Sequence, residues 1–307
     1  MPRHIRIAAV QAAPHPIGTP LDAFEREVRE LVAEHRPDLV VYPELHLFGA
    51  DNADPDAQNA RLREGAVDVD EFVAPLQALA RELGIWLLPG SLVERADGDP
   101  FNTAVLLAPS GEIAGRYRKV FPWRPSEPYA SGERFEVVDL PRLGRVGISI
   151  CYDAWWPEVT RHLAWMGAEV VLNIVKTTTP DRKQELVLAQ ANAIVNQNFT
   201  VSVNTAGPIG RGRSIVVDPE GTPIASAGEA PELLVVELDL DAVARVRRDG
   251  TEGSVVPWRQ FADDDAAVPL PLYHGRLDPS TWRPGAGAWP RIRPLNHIHL
   301  IARMDQQ

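Results

Sequence analysis

Cysteine is nearly missing from this chain: 307 residues contain one, Cys151. One thiol rules out an intrachain disulfide, so nothing in the sequence calls for an oxidising compartment. It also rules out the paired thiols of a redox motif and a cysteine-rich metal cluster. Positive charge is short as well. Thirty-one Lys and Arg face 42 Asp and Glu, a formal net charge of -11. That deficit argues against a nucleic-acid partner, which wants a basic face. Long apolar runs are absent, and no segment approaches the roughly 20 apolar residues of a membrane span. The opening "MPRHIRIAAVQAAP" has too short an apolar run for a signal peptide and alternates like a strand. The expectation is a soluble, cytoplasmic protein with no membrane partner.

What is present is periodic. "HIRIAAVQ" (4–11) alternates as a strand. "TPLDAFEREVRELVAEHRP" (19–37) predicts a helix with a Thr cap and Pro at its first position, its apolar face made by Leu21, Phe24, Val28, Leu31 and Val32. "DLVVYPE" (38–44) predicts a short buried strand, 70–84 a second helix, and "IWLLPGSLVE" (85–94) a strand. Residues 101–119 form a hairpin around Pro-Ser-Gly. The second half repeats the theme: strand "RVGISICYD", helix 156–167, strand 168–175, helix 181–198, strand 199–207, and a hairpin over 213–228. The hairpins "AVLLAPSGEIAG" and "SIVVDPEGTPIAS" are alike, and each follows a strand–helix–strand passage, which points to two related halves. Two sheets packed face to face with helices outside give an α/β fold, a four-layer α-β-β-α sandwich. Residues 1–245 are read as this domain. Residues 246–307, rich in Pro, Gly and Trp, are read as an irregular extension. Trp258, Trp282 and Trp289 imply that it packs on the domain or on a neighbouring subunit.

Three polar residues end apolar strands: Glu44 in "LVVYPE", Lys119 in "GRYRK" and Cys151 in "VGISIC". The carboxyl ends of strands are where α/β sheets place their sites. Taken singly, each has a plainer reading. A lone Cys in an apolar strand is a core residue, a Glu after a strand is solvated, a Lys beside Arg116 and Arg118 is a surface charge, and Glu127 is a loop acid. Together they fit one chemistry. A cysteine attacks as thiolate, a carboxylate in reach takes its proton, and a lysine stabilises the thiolate and the oxyanion that follows. No histidine holds a comparable place: His46 follows Glu44 closely, while His4, His15 and His35 look peripheral.

With these residues in view, the chain resembles the nitrilase, or carbon–nitrogen hydrolase, superfamily. The resemblance is carried by "VVYPELHLFG" around Glu44, "GRYRKVFPWRPSE" around Lys119 and Glu127, and "GISICYDAWWPE" around Cys151, with "MGAEVVLN" and the "DPEG" hairpin in support. It covers about residues 4 to 240. Within the family, "YRKVFPWRPSEPY" looks most like the aliphatic amidase and formamidase branch. "VKTTTP" departs from the aromatic-rich loop of that branch, and the extension is shorter and richer in Pro.

The resemblance implies a thiol-dependent amidohydrolase that cleaves a small-molecule amide to acid and ammonia, with no metal or organic cofactor. It implies Glu44 as general base, Cys151 as nucleophile, Lys119 and the Tyr152 backbone N–H as oxyanion donors, and Glu127 as a positioning acid. Trp123, Trp155, Lys176 and Thr177 are candidate substrate contacts. For Lys176 the alternatives are a solvated turn residue and a cation recognising a carboxylate-bearing substrate. Rival functions are an N-carbamoyl hydrolase, a nitrilase or an acyl transferase on the same triad, and a silent binding protein of the same fold. A homodimer or larger homo-oligomer is implied, which the Trp-rich stretch 155–165 and the tail also suggest.

Overall fold

The computed structural model describes residues 3–260. The first strand, β1, is His4–Gln11, the very residues whose alternation predicts it. Beside it lie β2 (Leu39–Val41) and then β3 (Trp86–Leu88), both parallel. Parallel neighbours require crossovers, supplied by α1 (Asp22–His35), α2 (Pro55–Glu64) and α3 (Val69–Leu83). The strands β4 (Ser91–Glu94), β5 (Phe101–Leu107) and β6 (Ile113–Arg118) continue the sheet antiparallel, with β4 and β6 both on β5.

The second sheet runs β7 (Glu136–Leu140), β8 (Gly144–Ile150), β9 (Val170–Val175), β10 (Phe199–Asn204), β11 (Ile215–Val217) and β12 (Pro223–Ser226), adjacent in chain order. Strands β8, β9 and β10 are parallel, with α4 (Pro157–Trp165) and α5 (Arg182–Asn196) as crossovers. A last strand, β13 (Glu232–Asp239), returns to the first sheet and pairs with β1 along its whole length, before α6 (Asp241–Asp249).

The pleat sorts side chains between layers. Ile5, Ile7 and Ala9 of β1 join Leu39, Leu106, Ile148, Leu172 and Val201 in one core between the two sheets. The alternate residues Ala8 and Val10 face outward against Phe24 and Val28 of α1 and Leu76 and Leu79 of α3. On the far side, Val159 and Leu163 of α4 pack on Val171, and Ala189 and Ala193 of α5 pack on Ile215 and Val217. The arrangement is the expected α-β-β-α sandwich.

Local expectations need correction. Helix α1 begins at Asp22, with Leu21 as its cap residue, while the Thr19 hydroxyl donates to the Pro16 carbonyl in the preceding turn. Residues 85–94 are two strands, not one, because Pro89-Gly90 bends the chain. Gly90 has φ 95°, and a Cβ there would lie 2.2 Å from the Pro43 carbonyl oxygen. Only glycine lets the bend approach the segment that carries Glu44. The boundary placed at 245/246 falls inside α6. Trp258 packs on its own chain, its ring lying 5.1 Å from the Arg161 guanidinium and 5.0 Å from that of Arg247. Trp282 and Trp289 lie outside the described residues. Among the described residues no helix is long and apolar enough to cross a membrane.

Candidate active site

The two sheets contribute different parts of one site. Glu44 follows β2 and Lys119 follows β6, both in the first sheet. Cys151 follows β8 in the second. Each begins where a strand runs out, so its side chain is presented at a sheet end and not within a ladder. The chain turns sharply at two of these points. Leu45, just after Glu44, has φ 53°, and Cys151 itself has φ 48°. Non-glycine residues rarely adopt this left-handed region, and such strain gathers at functional sites. Cys151 opens a 3₁₀ turn, Cys151–Trp155, with Tyr152 as its second residue.

Lys119 is completely buried. Its ammonium donates to Glu44 Oε1 at 3.0 Å and to the two Glu127 oxygens at 2.9 and 2.8 Å. An ammonium out of water survives only if its donors are met and its charge is balanced. Burial works to lower its pKa. The Glu127 and Glu44 carboxylates outweigh burial and hold it well above the ordinary lysine range. The cation is therefore permanent.

Glu44 is held by three donors. Oε1 takes the Asn102 amide at 2.8 Å as well as Lys119, and Oε2 takes the Lys176 backbone N–H at 2.9 Å. Oε2 keeps a lone pair for a further proton. Glu127 accepts also from the Trp123 N–H, at 2.7 Å. Burial raises the Glu127 pKa, Lys119 pulls it down, and the neighbouring Glu44 adds to the rise. Burial also pushes the Cys151 thiol well above its ordinary range, and the Glu44 charge adds to this against the pull of Lys119. The resting sulfur is thus a thiol facing a carboxylate and a cation.

The remaining candidates divide. Trp123 touches the site through its backbone. Trp155 sits beside Tyr152, ring centroids 6.0 Å apart, on the turn that Cys151 opens. Trp156 stacks on Phe121 at 4.1 Å and belongs to the small core beneath α4. The Lys176 side chain is 9% exposed and its ammonium pairs with Asp51 at 3.0 Å, so it is not a solvated turn residue. Thr177 is buried and committed to structure: its hydroxyl lies 2.8 and 2.7 Å from the Glu185 oxygens, and its N–H donates to Asn204 Oδ1 at 2.9 Å. These bonds make it a support of the loop. His46 is fully buried, stacked on Tyr42 at 4.6 Å, and burial lowers its pKa to about 3, so it is a neutral packing residue.

Sequence reasoning missed Asn102, Asp153, and the buried pair Arg182–Glu185, which is 3.0 Å apart. The signal for Asn102 was a polar residue inside the apolar strand "FNTAVLL". For Asp153 it was an acid two places past Cys151, in a segment otherwise apolar.

Residues 6–248 match the family model for carbon-nitrogen hydrolases. The formamidase of Pseudomonas syringae pv. tomato is 33% identical over 216 residues, 68% of this chain and 62% of that protein. An (R)-stereoselective amidase of Pseudomonas sp is 38% identical over 219 residues, 69% of this chain and 77% of that protein. The chain thus spans less than two thirds of that formamidase. Among solved structures, Saccharomyces cerevisiae Nit3, a member of branch 10 of the nitrilase superfamily, superposes with a TM-score of 0.72. It is 25% identical, covering 80% of this chain and 94% of Nit3. The amidase from Nesterenkonia sp. AN1, in a variant whose active-site cysteine carries the acetamide moiety of fluoroacetamide, gives a TM-score of 0.68. It is 29% identical, covering 80% of this chain and 94% of the amidase.

Proposed function

The chain belongs to the carbon–nitrogen hydrolase family, and from that premise we propose that it is a thiol amidase acting on a small, non-peptide carboxamide. The observation that carries this reading is the buried Lys119 ammonium held between Glu44 and Glu127, with a protonated thiol at the facing sheet end. A structural ion pair needs one carboxylate. Two carboxylates and a thiol around one cation make a proton-transfer site.

Glu44 Oε2 takes the Cys151 proton as the sulfur attacks the amide carbonyl. The oxyanion forms beside Lys119, one Glu127 contact giving way to it, and beside the Tyr152 N–H. Glu44 returns the proton to the departing ammonia. In the second half it takes a proton from water, whose oxygen attacks the acyl-enzyme. The products are the carboxylic acid and ammonia, and the thiol is restored. Glu127 keeps Lys119 charged and placed, and Trp123 and Trp155 border the acyl group. Every proton moves between side chains of this chain and the reactants, so the scheme calls on no cofactor. The amidase and formamidase names of the relatives support a small amide as substrate.

We place the protein in the cytoplasm, where a lone catalytic thiol stays reduced. We read it as a homodimer or larger homo-oligomer. Among the described residues Trp165, Met166, Val187, Ile194 and Val195 stand exposed on or beside α4 and α5, an apolar stripe on the outer layer.

The test is turnover of a panel of amides, N-carbamoyl compounds and nitriles, read as ammonia release, with hydroxylamine as trap. An amide that yields a hydroxamate in wild type, and none in Cys151→Ala with unchanged circular dichroism, bears the reading out. Hydrolysis by folded Cys151→Ala near the wild-type rate would end it.

A further inference from the structure

Asp153 lies two residues past the nucleophile and has no exposed surface. Its Oδ2 accepts from the Tyr117 hydroxyl at 2.7 Å and from the Ile150 N–H at 2.9 Å. Its Oδ1 accepts from the Phe121 N–H at 2.9 Å. These donors belong to two different sheets. Ile150 ends β8 and immediately precedes Cys151. Tyr117 lies on β6, two residues before Lys119, and Phe121 stands two residues after it. One buried carboxylate therefore grips the chain at the nucleophile and on both sides of the lysine.

We infer that Asp153 is a positioning residue of the proposed reaction: it sets where the Lys119 ammonium stands relative to the Cys151 sulfur. The inference rests on the roles proposed above for those two residues.

The geometry demands such a tie. Cys151 is held in the left-handed region, and a strained residue keeps its conformation only where its surroundings over-determine it. Hydrogen bonding within β8 ends at Ile150, and Asp153 reaches back to its N–H, pinning the turn to the strand. The same oxygen takes the Tyr117 hydroxyl, so the turn cannot shift without carrying β6. An apolar residue could fill the space but would orphan two backbone N–H groups and a buried hydroxyl. Pinning the turn to β8 does not by itself require the contacts to Tyr117 on β6 and Phe121 after it, and those two residues bracket the lysine.

The carboxylate's own ionisation fits this role. Burial raises its pKa to about 6, against the pull of Lys119 and of the three donors. At neutral pH it is ionised and accepts at every contact. The charged and titratable groups about it are Tyr117 and Lys119 on and after β6 and Cys151 on its own turn. Arg182 and Glu185 of α5 lie beyond the thiol.

The experiment uses Asp153→Asn and Tyr117→Phe, each alone and combined with Lys119→Ala. Asparagine brings an NH₂ into an all-donor shell, so whichever way it is placed at least one contact is lost. Asp153→Asn should lower kcat about 10²-fold with KM little changed, the order of loss expected for a misplaced catalytic group. Tyr117→Phe removes one donor and keeps the charge. It should cost roughly tenfold in kcat. It should also move the acid limb near pH 6 upward, because the lost hydrogen bond favours the ionised form.

Alkylation by iodoacetamide gives a readout free of turnover, since Cys151 is the only thiol in the chain. Both substitutions should slow alkylation at neutral pH when Lys119 is present and change it little when Lys119 is already alanine. Such non-additivity is the mark of one residue acting through another. Equal slowing in both backgrounds, or a folded Asp153→Asn with wild-type kcat, would overturn the inference and leave Asp153 a support of the fold. If Asp153→Asn does not fold, Tyr117→Phe carries the same cycle. Wild-type protein that hydrolyses no amide, yet shows the non-additive alkylation, would remove the reaction and leave the positioning intact.

Discussion

The backbone N–H of Lys176 donates to Glu44 Oε2 at 2.9 Å. Glu44 follows β2 of the first sheet and Lys176 follows β9 of the second, so this carboxylate is oriented by the opposite half of the molecule. Thr177 explains why the donor stays there: its N–H is held by Asn204 and its hydroxyl by Glu185. Glu185 is in turn paired with buried Arg182. The Asp153 carboxylate crosses the same seam in the other direction, from the Cys151 turn to the segment around Lys119. The site is thus as rigid as the packing of the two sheets.

Lys119→Ala should damage both activity and stability. Losing one oxyanion donor typically costs ~10²–10³ in rate. Here the change also leaves the Glu44 and Glu127 carboxylates without their counter-ion, and breaking a buried pair costs about 3–5 kcal/mol. The stability loss should shrink as pH falls. Burial already raises the Glu127 pKa and Lys119 is what pulls it down, so without the lysine the folded state takes a proton there before the unfolded chain does and is favoured by acid. Arg118→Ala is the control. Arg118 pairs with Glu94 at 2.6 Å and is 43% exposed, while Glu94 is buried, so the control should cost some stability by leaving that carboxylate unpaired but should spare activity. Steady-state kinetics and urea unfolding at neutral and mildly acid pH separate the two. Greater loss of activity in Arg118→Ala would reverse the assignment of the two faces of β6.

Elements with a clear apolar period show in the sequence, and those without one do not. β1 was legible to the residue because it alternates and is buried. Helix α2 was not. Its sequence "PDAQNARLRE" buries only Leu62, so it has no apolar period, although the Asp54 cap and Pro55 were there to be read. β13 was missed because "ELLVVELD" is half-exposed and pairs 221 or more residues back along the chain with β1, a partnership no local signal announces. The site followed the same division. Glu44, Lys119 and Cys151 stand at strand ends that the pattern locates, while Glu127 lies in the loop between β6 and β7 and was found through the family motif. Asp153 acts through contacts with β6, which only the packing of the two sheets creates. The Lys176 side chain was misread for a like reason: Asp51, its partner, is 125 residues away.

Acid stability should be set by two buried groups that oppose each other. His46 has a native pKa lowered to about 3 by burial, against 6.5 unfolded. The unfolded state takes the proton first, so stability is lost as pH falls from about 6.5 toward 3. Asp153 has a native pKa raised to about 6, against 3.8 unfolded. There the native state takes the proton first, so stability is gained as pH falls from 6 toward 3.8. Each slope approaches about 1.4 kcal/mol per pH unit, and between pH 6 and 4 they largely cancel. His46→Phe keeps the ring stack on Tyr42 and removes one slope. The melting temperature of that variant should rise relative to wild type on going from neutral pH to about pH 4. Parallel melting curves across that range would show that His46 does not carry the acid sensitivity.

The exposed stripe on α4 and α5 gives the assembly a direct check. Val187 and Ile194 are seven residues apart on α5 and share a face, and the Arg161 guanidinium of α4 reaches the Val195 carbonyl at 2.7 Å. Trp165 lies one turn beyond Arg161 and is 63% exposed, as is Val187. Wild-type protein should sediment as a dimer or larger at micromolar concentration. Trp165→Lys with Val187→Lys should sediment as a monomer of unchanged fold, since two charges cannot be buried without partners. A wild-type monomer, or an assembly indifferent to both charges, would move the interface elsewhere or remove it.

Lys176 and Asp51 give the sharpest test of substrate class. Their pair links the loop after Glu44 to the loop after β9, beside the site, and it is electrically neutral. With its ammonium occupied, Lys176 offers nothing to a carboxylate-bearing substrate, so the wild type should prefer neutral amides. Lys176→Ala should then leave KM for a neutral amide little changed, because the N–H that holds Glu44 is backbone and survives the substitution. Asp51→Asn is the more telling change. It keeps the shape and frees the ammonium, which can then meet a substrate carboxylate by a charge-assisted hydrogen bond. The expected result is a rise of roughly tenfold in kcat/KM for an acidic amide relative to a neutral one, about what one hydrogen bond to a charged partner supplies. The rise should vanish in the double variant Asp51→Asn, Lys176→Ala. Paired kinetics on two amides of equal length, one ending in a carboxylate and one in a methyl group, read it directly. No change in their ratio would mean that the Lys176 side chain points away from the bound acyl group and ties the loops only.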